Sequence, residues 1–348
     1  MKPSLDFLLR YLALSALALA LAMLIADNAV ALESTAWDKP GPLRVETREE
    51  TWRDAMRDRD VPVKLYVPGG SDAGQKWPVI LFSHGLGGSR AAGTMWAQHW
   101  ASHGFIVVSM QHAGSDEGLW KSRPAADVET NLKSGMTLSN LGLRVGDVRY
   151  AIDEIERRAK SGDMLWRGAD ASRIGLAGHS FGAQTTLAVS GQKAPNLAGQ
   201  SGLDARVVAA IAFSPNARNK QNLPRQFGDI RIPFFSITGT EDGSVLGDGT
   251  TWQDRTLPFE HMPEGGKFLL VLDGADHMVF GGLDLRRRTK TAIDVRVQGH
   301  IKASTLAFWR AQLSGGKEAA QGAAEMASEW LNKSFAKTLD AKDQFKSK

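Results

Sequence analysis

Short, continuous apolar runs recur along the chain, separated by stretches with helical spacing or by loops. They are Pro78–Ser83, Phe105–Met110, Arg173–Ala177, Val207–Phe213, Pro233–Thr238 and Lys267–Leu272. Runs this short, rich in branched side chains and lacking polar alternation, suit strands buried on both faces. Between them, Leu143–Arg158 and the stretch from Gln184 onwards carry helical patterns. Strands alternating with helices predict an α/β chain on a mostly parallel, doubly wound sheet with helices on both faces. Upstream, Leu43–Pro68 alternates polar and apolar positions, which predicts one or two antiparallel edge strands with a turn around Asp58 to Asp60. Downstream of Lys317, the pair Met326 and Trp330 and the series Ala327, Leu331, Phe335 and Leu339 follow four-residue steps. That spacing predicts an amphipathic C-terminal helix docked on the same domain.

The N-terminus breaks this pattern. Lys2 and Arg10 precede an apolar run from Tyr11 to Ala26, and Ala29-Val30-Ala31 follows with small residues at the spacing of a cleavage site. The run is short for a spanning helix of roughly 20 residues. Residues 1–31 therefore read as a signal peptide, and 32–348 as one mature domain that is periplasmic or secreted, without stable membrane insertion after cleavage. An uncleaved anchor is the alternative. No cysteine follows the run to carry a lipid, and there is no paired arginine of the twin-arginine type.

The 348 residues, 43% of them hydrophobic, are enough for a large core, and the ten tryptophans fit there for the most part. Zero cysteines exclude disulfides, thiolate metal sites and a cysteine nucleophile. The net charge of +4 is dispersed apart from Arg286-Arg287-Arg288, a short run that reads as a solvated face. Nothing in it points to nucleic acid.

The chemistry centres on Gly178-His179-Ser180-Phe181-Gly182, which follows the Arg173–Ala177 run and precedes a small-residue helical pattern. A serine between two glycines at a strand-to-helix turn is the nucleophile elbow of the α/β-hydrolases. The turn is tight and strained, and side chains at the flanking glycines would collide with the neighbouring strand and helix. A serine hydroxyl also needs a base to take its proton and a carboxylate to orient that base, and in this fold the chain order is Ser, acid, His. His277 lies in Asp273-Gly274-Ala275-Asp276-His277, just past the last of the apolar runs, and is the candidate base. His261 precedes that run and His300 opens the following helix, so both read as surface or packing residues.

For the acid, Gly239-Thr240-Glu241-Asp242 follows the preceding strand. Asp242 is the candidate, with Glu241 the alternative; Asp276 is discounted because adjacent side chains on a turn rarely face each other. The oxyanion hole needs two backbone N–H groups. Phe181 supplies one, and Leu86 in His84-Gly85-Leu86-Gly87-Gly88 the other. His84 and His179 read as supporting hydrogen-bonding groups, and His84, His112 and His179 have no metal-ligand spacing. Ser83, Arg144 and Asp147 read as structural, the last two as a salt bridge at a helix start. Ser115–Ser139 and Gly243–Gly265 are the expected cleft walls, with Trp120 and Trp252 as candidate contacts.

Several segments resemble a bacterial branch of the α/β-hydrolases labelled predicted dienelactone hydrolases. That branch is related to the platelet-activating-factor acetylhydrolases and, more distantly, to cutinase-like polyester hydrolases. The matching stretches are Thr51–Ala55 with Val61–Pro68, Phe82–Arg90, Trp100–Val108, Gly178–Gly182 and Gly274–His277. The resemblance implies a serine carboxylic-ester hydrolase with Leu86 and Phe181 as oxyanion donors. Two departures limit it. Dienelactone hydrolases use a cysteine nucleophile, which is missing here. The animal acetylhydrolases take their acid from the loop after the strand equivalent to Val207–Phe213, which here reads Ser214-Pro215-Asn216. The expectation is thus a Ser180–His277–Asp242 esterase for small, short-acyl esters, without cofactor or metal. The alternatives are a polyester, lactone or amide hydrolase with the same triad, or a non-catalytic binding protein on the same fold.

Overall fold

The computed structural model describes residues 37–69, 76–163, 165–193, 201–217, 220–245, 247–282, 291–314 and 318–348. The expected signal peptide and the Arg286–Arg288 run lie outside them. Among the described residues nine strands form one sheet: β1 (Val45–Asp54), β2 (Arg59–Pro68), β3 (Trp77–Ser83), β4 (Ile106–Met110), β5 (Ala169–His179), β6 (Val207–Phe213), β7 (Phe234–Glu241), β8 (Lys267–Asp276) and β9 (Gln344–Ser347). Their spatial order is β1-β2-β4-β3-β5-β6-β7-β8-β9. The central block from β4 to β8 is parallel, while β1 and β2 add antiparallel at one edge and β9 at the other. This is the α/β-hydrolase fold. The six apolar runs from Pro78 to Leu272 became parallel strands, and the Leu43–Pro68 alternation became the β1–β2 hairpin.

The double burial of the central strands is visible in β3. Its Val79 and Leu81 face one core and its Ile80 and Phe82 the other. Helices cover both faces: α1 (Thr94–Ser102), α2 (Val128–Gly135), α3 (Leu138–Ser161), α4 (Phe181–Val189), α5 (Leu223–Phe227), α6 (Leu257–His261), α7 (Ala292–Leu313) and α8 (Glu318–Glu329). Val145, Val148, Ile152 and Ile155 of α3 close the first core. Trp96 and Trp100 of α1 and Leu306 and Trp309 of α7 close the second. Tryptophans 37, 52, 96, 100, 166, 309 and 330 are all buried, so the indole content is mostly core.

Three details differ from expectation. His300 lies well inside α7 rather than at its start. β8 runs four residues past Leu272, through a register shift beside β7, and so carries the chain up to His277. The tail beyond α8 passes through a π-helical turn (Trp330–Ser334) and a 3-10 turn (Phe335–Thr338). It ends in β9, which covers the β8 edge from Phe268 to Val271. Ala327, Leu331 and Phe335 pack in the second core while Met326 is exposed.

The strand order reverses around β3: β4 lies on one side of it and β5 on the other. Crevices outside the carboxyl ends of strands at such a switch point are where open α/β sheets bind ligands. Ser83, His179, Phe213, Glu241 and Asp276 end their strands there.

Candidate active site

Ser180 follows β5 directly and precedes α4. Its backbone sits at φ 55°, ψ −112°, a region that costs a non-glycine residue energy and persists only when the surroundings enforce it. The enforcing contacts are local. The Ser180 N–H donates to the Phe213 carbonyl at 2.9 Å, while the Ser180 carbonyl accepts from the Gln184 N–H in α4. A Cβ on Gly178 would fall 2.2 Å from the Gly182 oxygen, and one on Gly182 would fall 1.9 Å from the Ser83 oxygen. Both are backbone obstacles, so only glycine permits β5, α4 and β3 to meet this closely. The side chain of Ser180 is thereby lifted into a partly open position.

His277, just past β8, is buried and lines the same small cavity as Ser180 and Phe181. Its Nδ1 lies 2.7 Å from Asp242 Oδ1. A carboxylate only accepts, so this contact places the Nδ1 proton toward Asp242 and leaves Nε2 as the ring's acceptor. Asp242 is fully buried in the loop after β7, where its Oδ2 also accepts from Thr238 Oγ1 at 2.8 Å. Burial works against the charge on Asp242. The His277 hydrogen bond and the neighbouring Arg255 cation outweigh it and hold the carboxyl below its usual range. Glu241, one residue earlier, is exposed. Asp276 turns away and accepts from the Met278 and Val279 N–H groups, both at 3.0 Å.

Arg255 was not singled out in the sequence. It is buried, and its Nε lies 2.9 Å from Asp242 Oδ1 and donates to the Asp242 carbonyl at 2.7 Å. Its two Nη groups reach the Ser214 and Gly243 carbonyls. One guanidinium thus ties the acid loop to the loop after β6. That loop, Ser214-Pro215-Asn216, carries no carboxylate and instead contributes Ser214 and Asn216 to the cavity wall. An arginine 13 residues beyond Asp242, in a 3-10 turn (Gln253–Arg255) too short for periodicity, offers no local signal of this role.

His179 packs against His277 with ring centroids 4.7 Å apart, and its Nε2–H donates to the His277 carbonyl at 3.0 Å. Burial, aided by His277 and opposed by Asp242, lowers its pKa to about 3, so it is neutral. Gly85 of the glycine loop lies against the elbow: a Cβ there would sit 3.5 Å from Ser180 Cβ. Leu86 follows, half-buried, with its side chain toward Gly135. Phe181 opens α4, one residue after Ser180.

Arg144 and Asp147 do not form the expected pair. Asp147, fully buried, takes Arg57 at 2.9 Å, Arg59 at 2.7 Å and His112 Nδ1 at 2.9 Å. His112 Nε2 in turn lies 2.9 Å from Ser83 Oγ. Ser83, His112 and Asp147 thus repeat the residue types and bonding order of a triad, yet all three are sealed from solvent. Geometry without access makes this a structural network.

The cavity beside Ser180 holds about 40 Å³ and is walled by Met136, Gln184, Ser214, Asn216, Ser244, Val245 and Thr250, among others. It borders a trench of about 460 Å³ through Met136, Asn216, Asp248 and Thr250. Both expected wall segments contribute, but neither tryptophan lines the cavity. Trp120 donates from Nε1 to the Gly87 carbonyl at 2.6 Å, and Trp252 packs on Phe259, Leu269 and Val271. A larger groove of about 810 Å³ along α3 and the β1–β2 turn shares no residue with the Ser180 cavity.

Residues 60–133 match the family model described as "Platelet-activating factor acetylhydrolase, isoform II". The platelet-activating factor acetylhydrolase of Canis lupus familiaris is 28% identical over 141 residues, 33% of this chain and 32% of the relative. The guinea pig (Cavia porcellus) protein of the same name is 30% identical over 151 residues, 36% of this chain and 34% of the relative. The chain thus spans about a third of the length of the curated relatives it matches. With its nine-stranded sheet and its serine elbow, the protein has the α/β-hydrolase fold and is similar over part of its length to the platelet-activating factor acetylhydrolases.

Proposed function

We propose that this protein is a serine hydrolase of carboxylic esters, with Ser180 as nucleophile, His277 as base and then acid, and Asp242 as the orienting carboxylate. The observation that carries this reading is a serine held at φ 55° in one cavity with a histidine whose Nδ1 is bonded to a buried carboxylate. Ser180 Oγ attacks the ester carbonyl as its proton passes to His277 Nε2. The imidazolium is stabilised by Asp242 and then protonates the leaving alcohol. Water attacks the acyl-enzyme by the same route in reverse. The Phe181 and Leu86 N–H groups bind the oxyanion in both tetrahedral states.

The acyl group is short, because only about 40 Å³ lies beside Ser180, and the alcohol side extends into the adjoining trench. The protein acts without cofactor or metal on small esters, and its N-terminal segment exports it to the periplasm or medium. Among the described residues no helix is long and apolar enough to cross a membrane. Hydrolysis of p-nitrophenyl esters from acetate to palmitate, with an anilide and a polyester film as further arms, tests the substrate reading. Rates should fall with acyl length and vanish in Ser180→Ala. Equal rates on palmitate, or faster turnover of the anilide or the film, would replace it. Cell fractionation with N-terminal sequencing tests export, and the expected mature terminus is near Leu32; a full-length cytoplasmic product would refute it.

A further inference from the structure

Arg144 is fully buried in α3, and every group its guanidinium bonds is an uncharged oxygen. Its Nε donates to Ser115 Oγ at 2.8 Å, and Nη1 donates to the His84 carbonyl at 2.6 Å and reaches Ser83 Oγ at 3.4 Å. Its Nη2 reaches the Ser115 carbonyl at 3.3 Å and the Gly85 carbonyl at 3.4 Å. The same guanidinium lies over the Phe181 ring, 4.4 Å from its centroid. One buried cation therefore touches both segments that carry the candidate oxyanion donors.

The direction of those contacts matters. In a trans peptide the C=O of one residue and the N–H of the next point in opposite directions. The Gly85 carbonyl is drawn inward by Arg144, by the Gly88 N–H at 3.1 Å and by His84 Nδ1 at 2.5 Å. The His84 tautomer follows from its other nitrogen: Nε2 accepts from the His112 N–H at 3.0 Å, so the proton sits on Nδ1 and is donated to Gly85. With that carbonyl facing the interior, the Leu86 N–H faces the opposite side, where Gly85 lies against Ser180.

We propose that Arg144 is the positioning residue of the oxyanion hole. It fixes the Gly85–Leu86 peptide plane so that the Leu86 N–H meets the developing oxyanion, and it seats Phe181 at the second donor. Its positive charge, bonded to no carboxylate, also favours negative charge forming just beyond that loop. This inference rests on the ester-hydrolase reading.

The test measures kcat, KM and the Ki of an alkyl boronic acid, which forms a tetrahedral serine adduct, for wild type, Arg144→Lys and Arg144→Met. Near-UV circular dichroism reports folding of each. Losing one oxyanion donor costs about 100-fold or more in kcat, and Arg144→Met is expected to approach that loss with KM changed less than about threefold. Its boronic acid Ki should rise by a similar factor. Arg144→Lys keeps the charge but cannot span Ser115 and both loop carbonyls, and should lose roughly tenfold in both readouts. If Arg144→Met does not fold, Arg144→Lys decides on the same criteria. Folded variants with wild-type kcat and Ki, or losses confined to KM, overturn the assignment. A wild type that hydrolyses no ester fails the hydrolase reading itself, whereas an active wild type with unaffected variants fails the Arg144 inference alone.

Discussion

Glu241 and Asp242 are chain neighbours with opposite surroundings. The Asp242 N–H closes a turn on the Gly239 carbonyl at 3.0 Å, so the last residue of β7 faces solvent while the next one turns under His277. Position, not residue type, separates the two carboxylates, and the sequence alone left both open. Asp242→Asn keeps the size but removes the charge that orients and stabilises His277. We expect kcat to fall by about 10⁴-fold with little change in KM, and Glu241→Gln to stay within about twofold of wild type. Steady-state kinetics on p-nitrophenyl acetate checks both, and the reverse ranking would move the acid to Glu241. Arg255 belongs at this scale as well. Its guanidinium holds Asp242 and ties the acid loop to the loop after β6. Arg255→Met should therefore let Asp242 shift from under His277 and lower kcat by about 100-fold. A folded variant with wild-type kcat would reduce Arg255 to a loop tie.

At the scale of elements, the elbow is a junction of three backbones. Gly182 lets α4 start against the end of β3, and its missing Cβ is what makes room for the Ser83 carbonyl. Gly182→Ala should cost about 3 kcal/mol or more in urea unfolding, the upper end for forced overpacking. A loss under about 1 kcal/mol would mean that the strand yields easily. This junction and the parallel block were legible in the sequence because buried strands and glycine turns leave local signatures. The order of Ser180, Asp242 and His277 along the chain was legible too. Arg255, the Arg144 contacts and the sealed Ser83–His112–Asp147 network were not. Each joins residues 12 to 61 positions apart through side chains that follow no period. Strand β9 was missed for a related reason: Gln344–Ser347 carries a single large apolar residue and takes its pairing from the exposed β8 edge.

The whole molecule carries several buried neutral imidazoles, and this sets its response to acid. Burial lowers His99 and His179 to about 3 and His112 to about 4, and takes His84 well below its ordinary value. In the unfolded chain each titrates near 6.5. Below that pH the unfolded state binds protons the folded state refuses, so stability is full above about 6.5 and is lost as pH falls toward the folded values. Asp147, held at about 2 against burial by His112 and Arg59, adds a further loss between about pH 4 and 2. Urea midpoints should therefore fall steadily from pH 7 to 5; a flat profile would mean that these imidazoles are solvated and protonate in place. Two serines in this one fold sit at the head of a Ser–His–Asp arrangement, yet only one faces a cavity, and that contrast yields the sharpest test of the account. Intact protein treated with a fluorophosphonate should take up a single adduct, mapped by peptide mass spectrometry to Ser180 and lost in Ser180→Ala. An adduct on Ser83, or none on the folded wild type, would contradict the assignment of Ser180 as the nucleophile.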